Sequence, residues 1–268
     1  MKPSALVFAL LGASAGGAWA QSAATVYGVL DGGVVSERGC DGCGSRIDGG
    51  VASASRIGVA GSEAIGDGLW AVYGLEAGLL LDTGRSDQGG RLFGRQAFVG
   101  LKGKAGTVTV GRQQNLEYTA LTDVGDPFKG GMAGTATNLF GTSGRSEDNS
   151  IHFYSGEAHG VSAAASYGAG EITGDASANR AWGISFGYAS GPLMLRAAYQ
   201  NRNVAKVAQA TPMGNNMDAK NSILAANLRI GGATAYAAYS LSRGWGSSPL
   251  FNPDNPYSAQ MASTPSTN

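Results

Sequence analysis

The sequence predicts an all-β protein, a transmembrane antiparallel β-barrel, on three observations. Short segments alternate apolar with small or polar residues, the period of a strand whose two faces meet different surroundings. Short Gly-rich turns alternate along the chain with long polar connections, an asymmetry of transmembrane barrels. Beyond the N-terminus no apolar run approaches the ~18 residues of a membrane helix, whereas a barrel strand needs only every second residue apolar.

Composition narrows the class. The chain has 268 residues with Lys+Arg 19 against Asp+Glu 19, so charge gives no argument for a nucleic-acid partner. Gly 44 is far above ordinary usage, but no G-X-Y period accompanies it and Pro is only 8, which excludes collagen and Pro-rich linkers. The N-terminus has the form of a secretory signal peptide, residues 1–20. Lys2 supplies the positive end, Ala5 to Leu11 the apolar core, and Ala18-Trp19-Ala20 the small-residue cleavage site. The chain is thus expected to leave the cytoplasm. Cys40 and Cys43 are the only cysteines. Without further Cys or nearby His they make a poor zinc site, and neither neighbour suits a redox βαβ unit. In an oxidising compartment they form a small loop disulfide or remain two free thiols. No metal and no cofactor is expected.

Taken in order, Thr25 to Ser36 reads as a first strand and Glu37 to Gly50 as a polar, Gly-rich loop. Ser53 to Glu63 follows, with Ile57 and Val59 on one face and Arg56, Gly58 and Ala60 on the other. After the Gly66-Asp67-Gly68 turn, Leu69 to Leu81 puts Leu69, Ala71, Tyr73, Leu75 and Leu79 opposite Glu76. A polar loop, Asp82 to Gly90, leads to the strand around Arg95 to Gly103, then to Gly106 to Arg112.

Alternation then stops. The connection 114–145 is far longer than the ~12–15 residues beyond which a loop is usually functional. It carries Glu117, Asp123, Asp126 and a Pro127–Phe128 corner, and is expected to fold inward and narrow the tube. Beyond it the period-two pattern is clean. Trp182, Ile184, Phe186 and Tyr188 oppose Ala181, Gly183, Ser185 and Gly187. Leu193, Leu195, Ala197 and Tyr199 oppose Met194, Arg196 and Gln200; Leu224, Ala226, Leu228 and Ile230 oppose Ile223, Asn227 and Arg229. Arg196 and Arg229 therefore share the lumen-side parity. About eleven strands are expected over 21–243, and residues 244–268 read as an external loop.

At Tyr27–Val34, Ser55–Gly58 (SRIG), Arg95–Gly103 (RQAFVGLKG), Gly106–Gln113, Asp126–Phe128 (DPF) and Asp148–Ser155 (DNSIHFYS), the chain resembles the general trimeric porins of Gram-negative outer membranes. The β-proteobacterial branch is the most similar. The resemblance implies an outer-membrane channel for passive diffusion of small hydrophilic solutes and ions, embedded in outer-membrane lipid. It also implies a homotrimer, with Asp82–Gly90 reaching the neighbouring subunit.

In that family an inward loop faces a ladder of wall arginines. By motif, Arg56, Arg95 and Arg145 would be the arginines, and Asp123, Asp126 and Glu117 the loop acids. On these arginines rests an expected mild anion preference. The resemblance also implies about 16 strands, so the chain is expected to be C-terminally incomplete. Two other functions compete. One is an outer-membrane barrel enzyme using Ser150 and His152, which share one strand face. The other is a surface adhesin-like β-domain.

Overall fold

The computed structural model describes residues 23–39, 44–131, 134–141, 144–170, 177, 180–204 and 217–243. The expected signal segment 1–20, Cys40 and Cys43, and the terminal stretch 244–268 lie outside them. The strands are β1 (Ala23–Val29), β2 (Gly32–Ser36), β3 (Ser45–Gly49), β4 (Arg56–Gly66), β5 (Leu69–Leu80), β6 (Arg85–Ser86), β7 (Gln96–Gly103), β8 (Gly106–Gln114), β9 (Ser146–Ser155), β10 (Val161–Gly168), β11 (Ala181–Ser190), β12 (Leu193–Val204), β13 (Met217–Ile230) and β14 (Ala233–Arg243).

One sheet runs β1-β4-β5-β7-β8-β9-β10-β11-β12-β13-β14, with β6 added beside β5. All its pairings are antiparallel. The result is a meander, so successive connections fall at alternate ends. The links β4–β5, β7–β8, β9–β10, β11–β12 and β13–β14 are turns, and the intervening links are long. Glycine is required at these turns: Gly68 (φ 75°), Gly191 (φ 55°) and Gly231 (φ 60°) take the left-handed conformation.

The alternation becomes two faces. On β11, Phe186 is 57% and Ile184 39% exposed, while Ser185 is 6% and Ala181 2% exposed. Trp182, Tyr188, Leu224, Leu228, Ile230 and Tyr239 continue the outer apolar face. Trp182 stacks beside Tyr199 with ring centroids 5.1 Å apart. So much contiguous exposed hydrocarbon is an aggregation hazard in water and the ordinary surface of a protein in lipid.

The inner face is not uniformly polar, which differs from the alternation expected of the chain. The connection 115–145 packs on it. It contains a short helix, α1 (Leu116–Ala120), a wider π-type turn over Leu121–Gly125 and one 3-10 turn (Ala136–Asn138). Ala120 and Leu121 are buried against Ala198 on β12 and Ile223 on β13, with Ala136, Phe140 and Ala238 at the edge. Burying Leu121 alone contributes about 1.5–3 kcal/mol. Ile223 thus has an apolar partner inside, where its parity alone predicted water.

Two elements depart from the expected first strand and loop. Thr25 to Ser36 is not one strand: the wall strand ends at Val29, and β2 pairs with β3 in a separate hairpin. Asp31 makes the corner. Its carboxylate accepts from the backbone N–H of Ala52 and Ser53 (both 3.2 Å), and its carbonyl accepts from Gly50 N–H (2.8 Å) and Ser55 Oγ (3.0 Å). The segment expected to be loop, Glu37 to Gly50, supplies β3 as the hairpin's return strand. An arginine replacing an outer apolar side chain should cost most at mid-strand. Phe186→Arg is expected to destabilise folding into lipid vesicles by about 2–4 kcal/mol, against about 0–1 for Val161→Arg beside a turn; urea titrations of the refolded protein measure both.

Candidate functional site

The inner face carries a group built around Glu76 of β5. Glu76 is opposite Gly58 on β4 and Gln96 on β7. Because Gly58 has no side chain, the Tyr27 ring crosses over it from β1: a Cβ at Gly58 would fall 2.5 Å from Tyr27 Cζ. The Tyr27 hydroxyl then donates to Glu76 Oε2 at 2.8 Å. Arg95, just before β7 and 5% exposed, donates through Nε to the other carboxylate oxygen. Arg56, the first residue of β4, lies with Nε 3.9 Å from Glu76 Oε2. Its Nη1 donates to Ser53 Oγ (3.1 Å) and to the Ala54 carbonyl (2.9 Å). A carboxylate and two guanidiniums held this closely tolerate burial, where a lone charge would not.

Arg145 leads into β9 and joins the group from the other side. Its guanidinium carbon sits 5.3 Å from the centroid of the Tyr118 ring on α1, a cation–π distance. Arg145 thereby links the inward-packed segment to the wall, and it lies near enough to Arg95 and Glu76 for their charges to act on it. A further wall arginine, Arg112 on β8, donates to the Gly94 carbonyl (2.6 Å) and to Asp148 (2.7 Å), which also pairs with Arg91.

The three expected loop acids have three different surroundings. Asp123 is exposed, with Oδ2 3.4 Å from Arg196 Nη1 on β12. Asp126 turns back into its own segment and accepts from Phe128 N–H (3.0 Å), Gly130 N–H (2.8 Å) and Thr135 Oγ1 (2.5 Å). Burial alone would raise its pKa, but these bonds outweigh burial and hold the carboxyl below its ordinary value. Glu117, in the first turn of α1, is fully buried. It lies near Glu147 of β9, whose carboxylate accepts from Gln200 Nε2 and stands 3.8 Å from His152 Nε2. The structure therefore gathers Arg56, Arg95 and Arg145, places Asp123 with Arg196, makes Asp126 a fastener of its own segment, and buries Glu117 beside Glu147. Arg229 occupies the inner parity of β13, exposed.

The segment's seat is tight. A Cβ at Gly125 would fall 3.0 Å from both Ala225 Cβ and Ala238 Cβ. Asn227 Nδ2 donates to the Val124 carbonyl (3.0 Å) and Ser242 Oγ to the Gly141 carbonyl (3.2 Å). Sequence reading used Glu76 only to mark a face and missed Tyr27, Tyr118, Arg112, Asn227 and Ser242 as its partners or anchors. A charged residue inside an otherwise apolar strand was the available signal for Glu76.

Asp126→Ala should loosen the segment by about 1–3 kcal/mol, since backbone donors lose a charged acceptor. Limited proteolysis within 128–141 should then accelerate. Because the folded-state pKa of Asp126 is lowered, its contribution is complete at neutral pH and fades as pH falls through that lowered value. Acidification should therefore accelerate cleavage of the native protein and leave the variant unchanged.

Residues 5–260 match the family model of Gram-negative porins. An outer membrane porin protein of Bordetella pertussis is 33% identical over 237 residues, covering 76% of this chain and 60% of the relative. Outer membrane porin protein 32 of Delftia acidovorans is 33% identical over 176 residues, covering 62% of this chain and 49% of the relative. The chain thus spans half to three-fifths of the length of these relatives. Among solved structures, an anion-selective porin from Comamonas acidovorans superposes with a TM-score of 0.63 at 23% identity, covering 84% of this chain and 80% of that one. Salmonella typhi OmpF, solved with daunomycin, gives a TM-score of 0.63 at 18% identity over 82% of this chain and 66% of its own. Matching sequence across most of its length, and matching fold in its antiparallel wall, this chain belongs to the Gram-negative porin family, outer-membrane proteins built as transmembrane β-barrels.

Proposed function

We propose that this chain forms the wall and the constriction of a water-filled channel for passive diffusion of small hydrophilic solutes and ions, with no chemistry performed on the solute. The observation that carries this reading is the placement of the long connection 115–145 on the inner face, with Arg145 seated between Tyr118 and the Glu76 group. Arginines at membrane depth normally face a polar interior or an aqueous cavity. Facing groups of unlike charge in a low-dielectric wall orient polar solutes and filter ions. In this chain Arg56, Arg95 and Arg145 form the basic side of such a field and Asp123 its exposed acid.

The preference is mildly anionic, because Asp126 and Glu117 are buried while Arg56 and Arg145 stay partly exposed and Asp123 is neutralised by Arg196. The working unit is a homotrimer, with 82–90 reaching the neighbouring subunit. An enzymatic reading has little support. Ser150 Oγ donates to the Gly111 carbonyl (2.8 Å), and His152 Nδ1 is bonded to the Tyr154 hydroxyl (2.9 Å), so neither serves the other.

Planar-bilayer recording tests the reading. Stepwise, ohmic conductance with reversal potentials displaced toward anions is expected. Arg56→Gln with Arg145→Gln should lower the anion-to-cation permeability ratio by about twofold or more, equivalent to about 0.4 kcal/mol. Clear cation selectivity of the unmodified protein would contradict the proposal.

A further inference from the structure

A cavity lies away from the Glu76 group, between the inward-packed segment and β9–β12, with a volume of about 220 Å³. That is many times the about 10–15 Å³ that admits one water. Leu116 of α1 and Ala163 and Ala164 of β10 supply its apolar lining. The lining also carries the Asp123–Arg196 pair, which bridges the segment and β12, and the hydroxyls of Ser162 and Ser185. Neither hydroxyl is engaged by another group among the described residues. The absent side chain at Gly187 leaves room for the Ser162 hydroxyl near Arg196: a Cβ at Gly187 would fall 2.6 Å from Ser162 Oγ and 3.8 Å from Arg196 Nε.

The charges decide what fits. A cation and an anion 3.4 Å apart present a dipole with no net charge. A simple anion gains from Arg196 what it loses to Asp123, and a simple cation meets the reverse. A dipolar ion, whose own opposite charges are similarly close, gains from both. The existing pair is partly exposed, 29% for Arg196 and 59% for Asp123, so it is weak and little is lost by opening it to a guest.

We infer that this cavity is a low-affinity subsite for small zwitterions of the α-amino-acid class. The solute carboxylate accepts from Arg196 and from the Ser162 or Ser185 hydroxyl. Its ammonium group donates to Asp123, and its side chain rests toward Leu116. The inference deepens the channel reading and rests on it, because the solute reaches the cavity through the lumen. The site would retain zwitterions briefly against the wall and enrich them locally, without closing the path to other solutes.

Saturation-transfer NMR on the detergent-solubilised protein tests it with three probes of nearly equal size: L-alanine, its uncharged isomer lactamide, and the anion lactate. Transfer to alanine at least several-fold above both others is expected. It should fall about tenfold or more in Arg196→Gln and several-fold in Gly187→Ala, whose methyl would fall on Ser162 Oγ and displace that hydroxyl. Circular dichroism verifies that each variant keeps its β-structure; if Gly187→Ala does not refold, Ser185→Val removes the other lining hydroxyl and should lower transfer in the same sense. Equal transfer to alanine and lactate, or a Gly187→Ala response equal to the unmodified protein, overturns the subsite. Conductance is recorded on the same preparation. Conductance without alanine transfer defeats the subsite alone, and alanine transfer without conductance defeats the channel while keeping the site.

Discussion

Hydrocarbon offers no hydrogen bonds, and that absence organises the molecule. Every N–H and C=O at membrane depth must be paired within the chain, which restricts a strand protein to continuous ladders. The unbroken antiparallel path from β1 to β14 follows from this constraint, and side-chain period two follows from the ladder. One parity meets lipid and is free to be smooth and apolar. The other is shielded from lipid, so arginine, glutamate and histidine become affordable there. The Glu76 group and the Arg196–Asp123 pair both sit on that second parity or against it.

The inward-packed segment adds a constraint of a different kind. A polar lumen gives a 31-residue connection, 115–145, no reason to stay on the wall. What holds it is a local patch of small and apolar inner residues: Ala198, Ile223, Ala225 and Ala238. Gly125 fits against two alanine methyls, Asn227 and Ser242 bond the segment's carbonyls, and Arg145 stacks on Tyr118. Of the three acids in the segment, Asp126 fastens its fold through Phe128, Gly130 and Thr135. The position of this segment is therefore set by packing and hydrogen bonds on β13 and β14 as much as by charge.

Legibility in the sequence followed physical range. The outer face could be read because lipid imposes the same demand on every strand; Trp182, Ile184, Phe186 and Tyr188 show it without reference to neighbours. Arg196 and Arg229 can be assigned a face because a charge within an apolar alternation has one tolerable direction, whereas Arg56, Arg95 and Arg145 are reached as a group only through the family motif. The β2–β3 hairpin could not be read, since its strands are five residues long and its base depends on Asp31 meeting Ala52, Ser53 and Ser55 more than twenty positions away. Ile223 misled for a related reason: parity gives a direction, and only the tertiary structure says that Leu121 waits there. The acids show the same limit. Asp123, Asp126 and Glu117 are alike as residue types in one loop, and their fates differ with what lies within hydrogen-bond reach.

The central claim is that the apolar parity touches lipid and the arginine parity touches water. With Cys40 and Cys43 changed to Ser, single cysteines at Ile184, Phe186, Arg196 and Arg229 in the membrane-inserted protein test it directly. A membrane-impermeant aqueous thiol reagent should modify positions 196 and 229 readily and spare 184 and 186. Ready modification at 184 and 186 with protection at 196 and 229 would contradict the account.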